Sequence, residues 1–185
     1  MAGSLLGRLV VASPKLVDPN FFRTVVCICA HDDSGTMGVV LNRPMDGVDL
    51  LEQLPQWAPH FAPPAVAFQG GPVEPVIAIG LARLNAPTRH EGWTAFAGNL
   101  GILDLRLSPS ELGSGLEETR VFVGYTGWGA GQLEAEIAEG AWFVVDAEAG
   151  DAFTPDPESL YREVLRRQGG QLAMFAYFPP DATQN

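Results

Sequence analysis

The chain has 185 residues, 46% of them apolar and 18% charged, which suits one compact domain with a substantial core and excludes disorder. Its formal charge is −11 with Lys15 the only lysine, and residues 93–185 hold 14 acids against 5 bases, a balance that repels nucleic-acid phosphates and excludes direct DNA or RNA binding as the expectation. No apolar run approaches the roughly 18 residues that a membrane-spanning helix needs, and Cys27 and Cys29, two apart on one strand, are no disulfide framework, so a reducing cytoplasm is expected.

The opening MAGSLLGRLVVASPK makes a poor secretory signal and a good first strand over residues 8–12. The following SPKLVDPNFF is a loop with a single helical turn, since Asp18 can cap the amides near Pro19 and Asn20. Residues 24–30 are apolar on both faces and predict a covered central strand. HDDSG is a hairpin turn in which Gly35 takes positive φ, and residues 36–41 return as the antiparallel partner, stopped by Asn42-Arg43-Pro44.

Residues 48–54 predict a short helix capped by Asp46 or Asp49. PQWAPHFAPPA lacks periodicity and reads as a surface loop, where an exposed patch around Trp57, Phe61 and Phe68 would favour partner binding. Strands are expected at 66–69, running into Gly70-Gly71-Pro72-Val73, then at 76–81, 94–97 and 102–105. Ser108-Pro109-Ser110-Glu111 starts a helix that Gly113 and Gly115 soon end.

The segment TRVFVGYTGWGAGQLEAEIAEG, residues 119–140, reads as a strand over 121–125, a glycine-punctuated turn, and a helix over 132–138. A strand at 141–145 must bury Trp142-Phe143 on at least one side, residues 157–168 form the longest helix, and 172–178 form a last short strand or a packed tail. Strands outnumber helices and hairpins recur, so the class is α+β in a single domain over 1–185, with a mixed, largely antiparallel sheet and flanking helices.

At DPNF, NRP, GGPV and GYTGWGAGQLEAEI the chain resembles the YqgE/AlgH family of small bacterial proteins, in order and over nearly its full length. That resemblance implies a bent, bifurcated sheet like a partial barrel, and no defined chemistry. One branch's label implies a link to alginate transcription, but no DNA-binding element is visible here.

Gly127, Gly129 and Gly131 lie between a strand and a helix whose first amides could hold an anion. A phosphate loop would need a lysine and a dinucleotide fingerprint a different glycine spacing, and neither is present. The competing account is a packing corner covered by Tyr125 and Trp128. Asn20, Arg43, Gln69 and Gly71 could converge with Gly129, Gly131 and Gln132 as a ligand site, a guanidinium and amides around a carboxylate or phosphate. Alternatively Arg43 pairs with Asp18 or another acid and pins the loops together.

Cys27, Cys29 and His31 could share a strand face, but no spacing supplies a fourth metal ligand, so no metal and no cofactor are expected. No serine stands in a nucleophile elbow and no catalytic residue is assigned. The leading expectation is a non-enzymatic structural or regulatory protein with a protein partner. The second is a small-ligand or anion-binding module built from the NRP, GGPV and GYTGWGAGQ loops. The third is a hydrolase, requiring His31 or His90 beside a serine or acid in that pocket.

Overall fold

The computed structural model describes residues 3–86 and 89–180. Nine strands form one strongly bent sheet: β1 Leu9–Ala12, β2 Val25–Asp32, β3 Gly35–Val40, β4 Phe68–Gln69, β5 Val73–Leu84, β6 Trp93–Ala97, β7 Leu100–Leu103, β8 Leu116–Gly129 and β9 Trp142–Val145. Their order across the sheet is β6-β7-β5-β8-β3-β2-β1-β9, with β4 beside β8. Among these ladders only β4 with β8 is parallel, so the α+β, largely antiparallel expectation holds.

The bend comes from a fork. β8 pairs with β3 through Gly129 to Thr126, facing Gly35 to Gly38, and its earlier residues pair with β5 and β4. Gly70 sits in the gap, taking the Val40 amide on its carbonyl at 2.9 Å and giving its own amide to Val123 at 2.9 Å. One glycine therefore joins two strands that can no longer pair with each other.

The hairpin at Asp32–Gly35 forms as its residues require, with Gly35 at φ 149° and the Asp32 carboxylate accepting the Ser34 amide at 2.8 Å. A bulge between Ile28 and Ala30 shifts the β2–β3 register. It leaves Cys27 and Cys29 in the core and turns His31 toward the opposite, helix-covered side, where it meets Glu134.

Among the described residues four α-helices flank the sheet: α1 Leu50–Gln53, α2 Gln132–Ala138, α3 Leu160–Gln168 and α4 Gly170–Phe175. The Asp49 carboxylate caps α1 through the Leu51 and Glu52 amides. α3 lays Leu160, Tyr161, Val164 and Leu165 on the larger core with Leu9, Val25 and Phe122, while α2 sets Leu133 against Val10, Val26, Ile28 and Trp142 on the other face. No helix among the described residues is long and apolar enough to cross a membrane.

Three local expectations are corrected. PQWAPHFAPPA is no plain surface loop, because Pro55–His60 forms a 3₁₀ turn that buries Trp57 completely. Phe68 is fully buried too, so the exposed patch expected there does not exist. Of the two alternatives at 172–178 the strand does not form: the segment is a packed tail, helical through Phe175, with Leu172, Phe175 and Ala176 on the larger core. Gly169 and Gly170, at φ 68° and 54°, turn the chain out of α3 and into α4. The third concerns 119–140: β8 runs on through GYTGWG to Gly129, leaving only Ala130-Gly131 as the turn before α2.

A buried cation ties the distant loops together. Arg120 is 2% exposed, donates to the carbonyls of Ala152, Thr154 and Pro63, and lies 4.4 Å from the Phe68 ring. With no carboxylate among the described residues hydrogen-bonded to it, burial lowers its pKa to about 10.

Candidate functional site

The residues singled out by sequence fall into two groups at opposite ends of β3. Gly35, at one end, faces Gly129, while Arg43 lies beyond the other end, eight residues along the chain, so about 25 Å apart if fully extended. Asn20, Arg43 and Gln69 form one group, with Gly71 set apart from it against Tyr125 and Thr126 of β8. Gly129, Gly131 and Gln132 form the other.

In the first group Arg43 donates to the carbonyls of Asn20 at 2.7 Å, Pro19 at 2.8 Å and Phe22 at 3.1 Å. It thus pins the DPNFF loop, through main-chain oxygens and not through Asp18. Partial burial pulls its pKa down, and the Asp18 charge partly offsets this. Gln69 gives its amide to the Arg43 carbonyl at 2.8 Å, and its own side chain is exposed. Asn42 works beside them, accepting the Val25 amide and donating to the Arg23 carbonyl, both at 2.9 Å.

Gly71 meets β8 backbone to backbone. At φ 155°, a Cβ on it would stand 2.2 Å from the Tyr125 carbonyl oxygen, and one on Gly124 would stand 2.4 Å from the Gly71 carbonyl. GGPV and GYTGWG are paired because neither carries a side chain at the crossing.

In the second group the space before α2 is filled from within. Gln132 Oε1 accepts the Gly129 amide at 3.0 Å and Gln132 Nε2 donates to Glu136 Oε1 at 3.0 Å. Glu136 Oε2 takes the indole N–H of Trp128 at 3.0 Å and of Trp142 at 2.9 Å. A carboxylate already standing there opposes a second anion. Gly131 takes φ 72°, whereas Gly129 keeps no positive φ.

The His31 imidazole contacts Thr36 Oγ1 at 2.9 Å and lies 3.6 Å from Glu134 Oε1. Thr36 is buried and Glu134 is beyond hydrogen-bond reach, so the trio offers no accessible nucleophile. The Cys29 thiol is pushed well up by the neighbouring Cys27 thiol and by burial. No metal-holding cluster of His, Cys, Asp or Glu occurs among the described residues.

A sizeable concave feature lies elsewhere: a cleft of about 820 Å³ between α1 and the β5–β8 ladder, within the range of ligand pockets. Its floor is Leu50, Leu54, Leu105, Val121 and Val123, and Ile77 and Ala78 form one wall. Asp49, Glu52 and Asp104 bring three carboxylates to the rim against one guanidinium, Arg106. That guanidinium is held by Asp104 at 2.6 to 3.1 Å, which lowers the Asp104 pKa to about 2.

The cleft opens where two strands part. β5 pairs with β7 from Arg83 back to Gly80, and beyond Gly80 it has no β7 neighbour. On its other side Val73 pairs with Tyr125 and the next pair is Ala78 with Val123, so Glu74–Ile77 stand opposite Gly124 alone. The four residues arch off the sheet, with Glu74 at φ 46° and Val76 90% exposed. Sequence reading placed a strand here and missed the arch. The signal was Glu74-Pro75 at the head of an apolar run, a pair that does not belong in a continuous ladder.

Comparison with known proteins matches residues 9–173 to a family described as AlgH-like. A Streptomyces coelicolor relative named as a UPF0301 protein is 49% identical, over 98% of this chain and 96% of its own length. One from Mycobacterium tuberculosis, also named UPF0301, is 40% identical over 97% and 90%. Among solved structures, a crystal structure of a Corynebacterium diphtheriae protein superposes with a TM-score of 0.86 at 29% identity, covering 94% of this chain and 92% of that one. The solution structure of the AlgH protein from Pseudomonas aeruginosa does so at 0.69 and 30%, covering 98% of each.

Proposed function

The chain belongs to the AlgH-like family, and we propose that it is a cytoplasmic, non-enzymatic interaction protein that receives a protein partner in the cleft between α1 and the β5–β8 ladder. The observation that carries this reading is the joining of an apolar-floored cleft to exposed apolar surface outside it. Val76 is 90% exposed, Ile77 43% and, on α1, Leu51 53%. A small ligand inside the cleft would leave Val76 in water, whereas a protein surface would cover both. No direct DNA binding is proposed, and the formal charge of −11 supports that reading.

A photo-crosslinking amino acid at Ile77, introduced in cells, tests this. Ala78 is exposed and lines the cleft, so Ala78→Arg fills it without disturbing the core. A crosslinked adduct at Ile77 that disappears in the Ala78→Arg chain supports the reading. Adducts that persist unchanged, or none at all, contradict it.

A further inference from the structure

The chemistry of the cleft narrows the partner, and this inference rests on the reading just given. We propose that the occupant is an extended segment of a partner protein that alternates apolar and basic side chains, laid along the free edge of β5.

Three features of the site select that chemistry. First, shape: β5 keeps β8 on one side through Ala78 but loses β7 after Gly80, so the edge at Ala78 and Ile79 faces a wedge between diverging strands. An extended chain fits such a wedge and can use the free main-chain groups, the recognition mode of strand addition. Second, alternation: the wedge has an apolar wall and floor at Ile77, Ala78, Leu105 and Val123 and carboxylates only at its rim. A strand placed there points successive side chains inward and outward by turns. Third, charge: the Arg106 guanidinium is already matched by Asp104, while among the described residues no cation pairs with Asp49, Glu52 or Glu74. The rim therefore presents carboxylate charge to whatever enters, and a basic segment is complementary to it. An acidic segment is repelled, and so is a nucleic acid.

The probe is a short fluorescent peptide alternating leucine and lysine, with two controls: the same peptide with glutamate for lysine, and one with N-methylated backbone amides. Binding is measured to the full chain, to Glu52→Lys and to Val76→Ser. Both substitutions are at exposed side chains, so both variants should keep the wild-type melting temperature. The inference expects saturable binding of the leucine–lysine peptide, at least tenfold weaker binding of both control peptides, and at least a tenfold loss for Glu52→Lys, with a smaller loss for Val76→Ser. Equal binding of the glutamate peptide, or no effect of Glu52→Lys, overturns the basic partner. Undiminished binding of the N-methylated peptide overturns the strand mode. If none of these peptides binds but the Ile77 crosslink is still abolished by Ala78→Arg, the inference fails and the broader reading stands. If both experiments fail, the cleft is not an interaction site.

Discussion

Trp128 and Trp142 direct their indole N–H groups at the same oxygen of Glu136, at 3.0 and 2.9 Å, with their rings edge to face at 5.8 Å. Phe21 stacks on the first and meets the second edge-on. This assembly, with no phosphate, is what the glycine-rich corner before α2 encloses. Glu136→Ala leaves two indole donors without their charged acceptor and should destabilise the chain by about 2 kcal/mol. Chemical denaturation checks this, and an unchanged midpoint would remove Glu136 from the account of the corner.

The glycines separate by what surrounds them. Gly71→Ala places a Cβ against the Tyr125 carbonyl and should prevent normal folding or lower the melting temperature severely. Gly131→Ala meets only left-handed backbone strain, since nothing lies within 4 Å, and should cost about 1 kcal/mol. Gly129→Ala meets neither and should be nearly silent. Thermal melts of the three variants give the ranking, and a severe loss at Gly129 would contradict it.

Arg120 is the cation whose loss should matter for stability. Arg120→Met strands the carbonyls of Ala152, Thr154 and Pro63 in the interior and should destabilise by on the order of 3 kcal/mol. Arg106→Met, on an exposed side chain at the cleft rim, should stay within about 0.5 kcal/mol. Equal effects would mean that Arg120 is not the clamp described.

Asp104 gives a pH test at the cleft itself. Its hydrogen bonds from Arg106 lower the pKa from 3.8 to about 2. A carboxylate depressed in the folded state contributes stability that is present above its ordinary pKa and lost as pH falls through the folded one. NMR titration of the Asp104 carboxyl should therefore show ionisation persisting below pH 3.8, with the pKa rising toward its ordinary value in Arg106→Met, whose main-chain amide at 106 still donates to the carboxylate. A titration unchanged by that substitution would deny the pairing.

Much of the fold was legible because its signals are local. Gly35 and Asp32 specify the first hairpin, Asp49 caps α1, and Gln132–Ala138 forms the helix that its apolar spacing predicts. The errors share a cause: tertiary pairing overrode local chemistry. Gly127 and Gly129 look like a turn, yet they lie in β8 because Met37 and Gly35 of β3 pair with them. Trp57 lies between prolines in a stretch without period, and it is buried in a tertiary cluster with Leu84, Trp93 and Leu103. The cleft was hidden for the same reason, since it is defined by where β7 leaves β5, a register that no single segment carries.

The most direct measurement is amide chemical-shift mapping of the isotope-labelled chain titrated with the leucine–lysine peptide. The expected result is shifts confined to Asp49–Gln53, Val76–Ile79, Leu105, Arg106, Val121 and Val123. Shifts centred instead on Asn20, Arg43 and Gln69, or on Gly129, Gly131 and Gln132, would contradict it.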